Sequence, residues 1–463
     1  MKYIDEPKIE SLLRDAKNVP VAELDRILEK SKSLQRLSLS ETAALLAVED
    51  PLFIKKIFTA AAYVKEHIYG SRIVLFAPLY ISNICANCCA YCAFNARNKK
   101  IERKALTVDE IKEQVTLLLK HGHKRILLVA GEAAPAGQTN IEYYVESIKA
   151  VYAVNVGKNR IKRVNINCAP LSVEEFKQLK AAGIGTFQIF QETYHEKSYR
   201  QVHLSGPKTD PDNRIDAVDR AFTAGIDDVG IGVLYGIYDY RFETLAMLMH
   251  IEHLEEKFNV GPHTISVPRI EPALGSEFSE NVPHRVTDDE FKKLIAVLRL
   301  SVPYTGIILS TRETPEMRDE LFNLGVSQIS AASRTSPGGY EETQGKLPKD
   351  SQFILNDNRS LDEVIGSLIK KKFIPSFCAA CYRSARTGEA FMNLAKPGTI
   401  KGKCSVNALI TLKEYLDDFA SPEVKKAGYK LIEEYSQQLD EKTQSELAKF
   451  FADINQGVRD EYV

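Results

Sequence analysis

The 463-residue chain carries 61 Lys and Arg against 62 Asp and Glu. A net charge of −1 leaves no cationic surplus for nucleic acid or a membrane surface, so neither is expected as a partner and small molecules are the expected ligands. No apolar run approaches the roughly 20 residues of a membrane span, and Met1-Lys-Tyr-Ile-Asp lacks the apolar core of a signal peptide, so a soluble cytoplasmic protein is expected.

Residues 1 to about 70 show helical periodicity without strands: Ile9, Leu12 and Leu13, then Val21, Leu24, Ile27 and Leu28, then an apolar run from Leu45 to Val64. A helical N-terminal extension over residues 1–70 is expected. Eight short apolar runs follow with helix-length spacers, at 73–81, 125–131, 163–168, 186–191, 228–236, 264–270, 306–312 and 327–333. Strands alternating with amphipathic helices imply parallel βαβ units. Eight of them close most economically into an α/β fold, a (β/α)8 TIM-type barrel over residues 71–372; a doubly wound open sheet is the alternative. The polar stretch Thr335–Arg359 then leads into Leu361, Val364, Ile365, Leu368 and Ile369, spaced as a last barrel helix. Two charged helical stretches, 405–419 and 422–453, complete a small α-helical C-terminal domain expected over residues 373–463.

The eight cysteines fall as two triplets plus Cys88 and Cys168. That is not the spread of a disulfide framework, and it implies reduced thiolates holding a metal. In the first triplet Cys85, Cys89 and Cys92 lie within eight residues, with Tyr91 before the last. Three thiolates can hold three irons of a four-iron cluster and leave the fourth open, whereas structural clusters and zinc sites use four protein ligands. A zinc knuckle or a chance group of buried thiols is the bland alternative, and Cys88 and Cys168 are read as unligated small hydrophobes. The C-x3-C-x2-C spacing with its aromatic resembles the signature of radical S-adenosyl-L-methionine (SAM) enzymes. In that superfamily the amino and carboxylate groups of SAM chelate the open iron, and an electron from the cluster releases a 5′-deoxyadenosyl radical.

Barrel chemistry sits at the carboxyl ends of the strands. The second run ends in Ala130-Gly131-Glu132, similar to the element that receives the SAM amino group. The fourth ends in Gln191-Glu192, whose carboxylate could bind ribose hydroxyls. The fifth contains Gly232 to Gly236, which resembles the segment that stacks on adenine. Arg214 is a candidate partner of the SAM carboxylate, with a plain surface arginine as the equal alternative. The later runs carry Ser266, Arg269 and Glu271, then Ser310, Thr311 and Arg312, then Ser330, Ser333 and Arg334. An amino acid substrate needs such a lining. Arg312 can hold a carboxylate through two bonds with Ser330 completing the hold, and Arg269 is a further candidate; each could instead tie barrel loops together.

The second triplet is Cys378-Ala-Ala-Cys381 and, after 22 intervening residues, Cys404. Zinc would want a fourth ligand, and residues 370–463 hold no histidine and no fourth cysteine, so a second iron–sulfur cluster with an open corner is preferred. With both triplets read, the chain resembles HydG-type tyrosine lyases, radical SAM maturases of [FeFe]-hydrogenase, over essentially its whole length. SVPRIEP, LSTRE and SAASRTSPGGY are also similar to 2-iminoacetate synthase, which makes the same first cut, and the C-x2-C-x22-C region separates the two.

The resemblance implies that the adenosyl radical takes a hydrogen from the amino group of L-tyrosine. Cα–Cβ cleavage then releases p-cresol and dehydroglycine, and the latter yields CO and cyanide. It implies an N-terminal 4Fe-4S cluster and an auxiliary C-terminal 4Fe-4S cluster with an extra iron, held through free cysteine, on which an iron–carbonyl–cyanide synthon is built. An electron donor of ferredoxin or flavodoxin type and other hydrogenase maturases are the implied partners. A tryptophan lyase-like radical SAM enzyme and a non-catalytic iron–sulfur carrier are the competing readings. Topology adds that the last barrel helix should release Cys378 at the mouth opposite Cys85, with the small fragment crossing the interior between them. The resemblance also implies a histidine on the extra iron, and His263, opening the sixth run at that amino-terminal mouth, is the best placed of the nine histidines.

Overall fold

A computed structural model of the protein describes residues 1–341 and 350–463. Eight parallel strands form its centre: β1 (Arg72–Ser82), β2 (Arg125–Ala130), β3 (Arg163–Asn167), β4 (Phe187–Glu192), β5 (Val229–Val233), β6 (Thr264–Ser266), β7 (Gly306–Leu309) and β8 (Gln328–Ser330). Each pairs with its sequence neighbour, and β8 returns to β1 with Val74 opposite Gln328 and Phe76 opposite Ser330. The sheet is therefore a closed barrel rather than an open doubly wound sheet. All eight runs read from the sequence are strands, and β6 and β8 hold ladder pairing over three residues each.

Local chemistry sets the punctuation. The helices after β1, β2, β3, β6 and β8 all start with a reciprocal capping pair: Thr107–Glu110, Thr139–Glu142, Ser172–Glu175, Thr287–Glu290 and Ser360–Glu363. Each satisfies backbone N–H groups that a helix start leaves orphaned. At the far end Gly183 and Gly225 take positive φ after the helices Val173–Ala181 and Pro211–Thr223, turning the chain back into the next strand.

Four helices between Glu6 and Tyr69 precede the barrel, and the last, Pro51–Tyr69, packs on Asp288–Ser301 and Pro315–Leu324. After the barrel helix Leu361–Lys370 the chain forms β9 (Ile374–Ser376), which the sequence reading did not anticipate. β9 pairs in parallel with Arg72–Val74 at the start of β1, beside the edge that β2 takes from Ala77 onward. The charged stretch 422–453 is two helices, Pro422–Ser436 and Glu441–Asn455, and the preceding helix starts earlier than 405, spanning Ile400–Asp418. Within the polar stretch Thr335–Arg359, residues 342–349 lie outside the described residues. Among the described residues, no helix is long and apolar enough to cross a membrane.

Candidate active site

The loop after β1 carries Cys85, Cys89 and Cys92 to the carboxyl-terminal mouth of the barrel. It is held against the segment after the helix Glu196–Val202. Ala90 N–H donates to Val202 O at 2.8 Å, Cys88 N–H to Ser205 O at 2.9 Å, and Tyr91 Oη lies 2.9 Å from His203 Nε2. These approaches need glycine. A Cβ on Gly131 would sit 2.2 Å from Ile84 O, and one on Gly206, whose φ is +95°, would sit 2.5 Å from Ala86 O.

Burial pushes the Cys89 thiol up to about 12 and the Cys92 thiol up to about 11, so stable thiolates there need a cation to compensate them. Donors already face the sulfurs: Asn87 N–H reaches Cys85 Sγ at 3.4 Å and Gln352 Nε2 reaches Cys92 Sγ at 3.6 Å. Among the described residues, no three His, Cys, Asp or Glu side chains gather as tightly as a single ion requires. A multi-iron cluster, which spreads its thiolates over separate irons, fits this donor set. Cys168 is fully buried at the end of β3, consistent with a packing role.

Next to the triplet, two carboxylates and two cations form a buried relay. Arg214 Nη1 donates to Glu132 Oε1 at 2.7 Å and its Nε to Phe190 O at 2.6 Å; Asn87 Nδ2 donates to Glu132 Oε2 at 2.7 Å. Lys208 Nζ donates to Glu192 Oε1 at 2.6 Å. Burial alone would raise Glu132, but Arg214 and Lys208 outweigh it and hold the carboxyl below its usual range. Glu192 itself takes φ +71°, at an irregularity in the β4–β5 pairing that aims its side chain at Lys208. Lys208 and Asn87 were not singled out in the sequence, because their partners lie 16 and 45 residues away.

One cavity joins this relay to the barrel interior. Its wall includes Cys85, Cys89, Tyr91, Cys92, Gly131 and Glu132 at the mouth, and Arg312 and Ser330 on its far side. Gly232 and Gly236 lie off the wall and Leu234 between them lines it; a Cβ on Gly232 would strike the Phe190 ring at 2.6 Å. Arg312 stacks its guanidinium 3.4 Å from the centre of the Phe353 ring and has no carboxylate partner among the described residues. Ser330 Oγ accepts from Thr311 N–H at 3.3 Å. Arg269 departs from the sequence expectation. It turns away from this cavity and is tied to Glu313, to Val286 O at 3.0 Å and to Asp288 at 2.8 Å, because Glu313 offers it a buried two-oxygen partner. Deeper in, Gly230, Thr264 and Gly306 share a register row with Gln188, so two of four neighbouring inward positions carry no side chain. Barrels are ordinarily filled there by branched apolar residues.

At the opposite mouth, β9 delivers Cys378, whose carbonyl accepts from Arg125 at the start of β2. Cys404 is carried by the helix Ile400–Asp418 that packs under β9. Burial raises Cys378 and takes Cys381 up to about 11, with the nearby Cys404 adding to both, and Ala380 N–H faces Cys378 Sγ at 3.4 Å. Like the first triplet, this donor set fits a cluster. His263 immediately precedes β6 and faces the same end, its ring 4.2 Å from that of Phe391. Its Nδ1 lies 3.5 Å from Asp228 Oδ2. Asp228 is 1% exposed, and neither carboxylate oxygen has a hydrogen-bond partner among the described residues. The two cysteine triplets thus occupy opposite ends of the barrel.

Residues 79–253 match the Radical SAM superfamily, and residues 266–374 match the Biotin and Thiamin Synthesis associated domain. The 2-iminoacetate synthase of Salmonella typhimurium is 30% identical over 342 residues, covering 74% of this chain and 87% of its own. A crystal structure of HydG, a maturase of the [FeFe]-hydrogenase, superposes with a TM-score of 0.96 at 46% identity and covers 100% of both chains. The HydG of Carboxydothermus hydrogenoformans gives 0.84 at 42% identity over 96% of this chain and 97% of its own. This barrel, with a cysteine triplet at each mouth, therefore belongs to the HydG family of radical SAM maturases of the [FeFe]-hydrogenase.

Proposed function

We propose that the protein cleaves the Cα–Cβ bond of L-tyrosine to p-cresol and dehydroglycine, and passes the dehydroglycine through the barrel for conversion to CO and cyanide on an iron held at the second triplet. The observation that carries this reading is the pairing of two separated triplets with one arginine-bearing cavity that runs inward from the first. When bound to the open iron of an N-terminal 4Fe-4S cluster, SAM supplies the radical that abstracts hydrogen from the substrate amino group.

The chain's own residues do the rest. Cys85, Cys89 and Cys92 would hold the cluster, with Tyr91 and His203 bracing the loop. Glu132 and Glu192 present acceptors to the SAM amino and ribose groups, and Arg214 can shift to its carboxylate. Arg312, stacked and without a carboxylate partner among the described residues, offers tyrosine a planar two-bond contact, with Ser330 beside it. Enclosure within the barrel would shield a reactive fragment from water. Cys378, Cys381 and Cys404 would hold the auxiliary 4Fe-4S cluster, and His263 would offer a ring nitrogen to an extra iron bound there together with free cysteine. Asp228 is placed to accept from the other ring nitrogen and so fix the tautomer.

The test is an anaerobic assay of reconstituted, reduced protein with SAM and tyrosine. All of p-cresol, cyanide and CO are expected. SAM cleavage stimulated by tyrosine with p-cresol but neither diatomic would favour a 2-iminoacetate synthase-like enzyme. SAM cleavage with no p-cresol would overturn the tyrosine assignment.

A further inference from the structure

We infer that the loop following Cys92 is the docking surface for an acidic, low-potential one-electron carrier protein. The inference rests on the radical SAM membership of the Cys85–Cys92 loop and adds the place where its electron enters.

Residues 93–104 are built as a rigid platform. Arg103 is spent internally, donating to the carbonyls of Asn83 at 2.8 Å, Phe94 at 2.9 Å, Asn95 at 2.5 Å and Asn98 at 3.1 Å. Asn98 spans outward from the platform, donating to Ala93 O at 2.8 Å and to Leu274 O at 2.7 Å. Ile101 points inward, buried with Tyr80 and Phe94 against Cys85 and Cys92. The residues just before it, Lys99 and Lys100, are exposed, as is Arg97. None of these three side chains has an ion-pair or hydrogen-bond partner among the described residues. They outnumber Glu102, the segment's lone carboxylate.

Beside them stand two of the chain's few exposed large apolar side chains, Leu274 at 44% and Ile354 at 46% exposure. Asn98 ties Leu274 to the loop, and Ile354 N–H donates to Pro272 O at 2.9 Å. The surface is therefore an apolar centre with a cationic rim, one buried residue away from two cluster thiols. On a chain whose charges otherwise balance, a preorganised local surplus steers an oppositely charged partner and sets its orientation. A patch of so few side chains suits a transient encounter. In that encounter one electron leaves the carrier's reduced iron–sulfur or flavin centre and enters the oxidised N-terminal cluster, and no atom is exchanged.

The test uses the reconstituted holoprotein and, as probe, a purified acidic [4Fe-4S] ferredoxin. Cluster reduction is followed by stopped flow and EPR, and ferredoxin binding by titration, across a range of salt. Combined Arg97→Glu, Lys99→Glu and Lys100→Glu should lower the low-salt reduction rate roughly tenfold or more and flatten its salt dependence. Reduction by dithionite should be unchanged. Lys426→Glu with Lys430→Glu, on the helix Pro422–Ser436, should leave ferredoxin reduction intact. Unchanged ferredoxin reduction in the triple variant, or an equal loss in the distal control, would overturn the proposal. If the triple variant also loses dithionite reduction, Lys99→Gln with Lys100→Gln is read by the same two outcomes. A failure of dithionite to drive SAM cleavage in the wild-type protein would instead strike the radical SAM reading itself.

Discussion

Arg312 and Arg269 lie 43 residues apart in sequence and on neighbouring strand ends, yet their chemistry diverges completely. Arg269 meets a buried carboxylate, Glu313, and is consumed by it; Arg312 meets an aromatic face, spends Nη1 on the Arg269 carbonyl at 3.4 Å, and has no carboxylate partner among the described residues. Replacing Arg312 with lysine should therefore weaken tyrosine binding far more than SAM binding, by about 1–3 kcal/mol, because a point charge neither stacks on Phe353 nor makes two parallel bonds. An unchanged apparent affinity for tyrosine would move the carboxylate site elsewhere. A second residue-level prediction concerns Asp228. Asp228→Asn keeps the shape but removes the charge 3.5 Å from His263 Nδ1. Loss of such a partner typically costs about 10- to 100-fold in metal affinity. The variant should retain p-cresol formation and lose the extra iron, measured by iron count and EPR; full occupancy would show that another group orients the imidazole. The sequence singled out Arg312 and His263, but neither the capture of Arg269 by Glu313 nor the place of Asp228 was legible in it. Arg269 and Arg312 both follow strands in polar runs, and only the tertiary position of Glu313 separates them.

At the scale of elements the sequence was far more informative, since hydrophobic periodicity alone located every barrel strand and the helix Leu361–Lys370. The Ser/Thr-x-x-Glu pairs that start five of the crossover helices were also there to be read. What escaped was β9, because Ile374-Pro-Ser is three residues long, contains a proline, and becomes a strand only where the start of β1 offers an unpaired edge. The helix Tyr240–Phe258 shows how one element braces the active mouth. Its first turn carries Glu243, which accepts from the Thr193 hydroxyl and, at 2.8 Å, from Tyr194 N–H, just past Glu192. Burial pushes Glu243 up to about 8, against an ordinary value of 4.5. The folded protein therefore holds a proton that the unfolded chain releases, so stability is lost as pH rises from about 4.5 to about 8 and levels off beyond. Glu243→Gln removes that slope. The variant's apparent melting temperature relative to wild type should rise steadily across this window, and a difference that stays constant with pH would show that the proton is not held there.

The whole molecule sets its two cysteine triplets apart along one axis. The 11 residues of β1 rise about 3.3 Å each, which puts roughly 33 Å between its ends. One end leads directly into Cys85, and the other is paired to the strand that delivers Cys378. A parallel barrel enforces this, because every helix returns the chain to the amino-terminal mouth and only that mouth can receive an appended C-terminal region. The proposed function then predicts a division of labour in which damage at one mouth is not felt at the other. Cys378→Ala and Cys381→Ala remove auxiliary ligands while leaving the Glu132–Arg214 and Glu192–Lys208 pairs untouched. Each variant should therefore still cleave SAM and release p-cresol, with 5′-deoxyadenosine formation within a few-fold of wild type, and should fail to deliver CO onto iron. Cys85→Ala, in contrast, should abolish all products, since an iron without its thiolate cannot sustain the cluster that binds SAM. If Cys378→Ala folds, retains its first cluster by EPR and yet makes no p-cresol, the two mouths are coupled, and the interior is more than a passage between them.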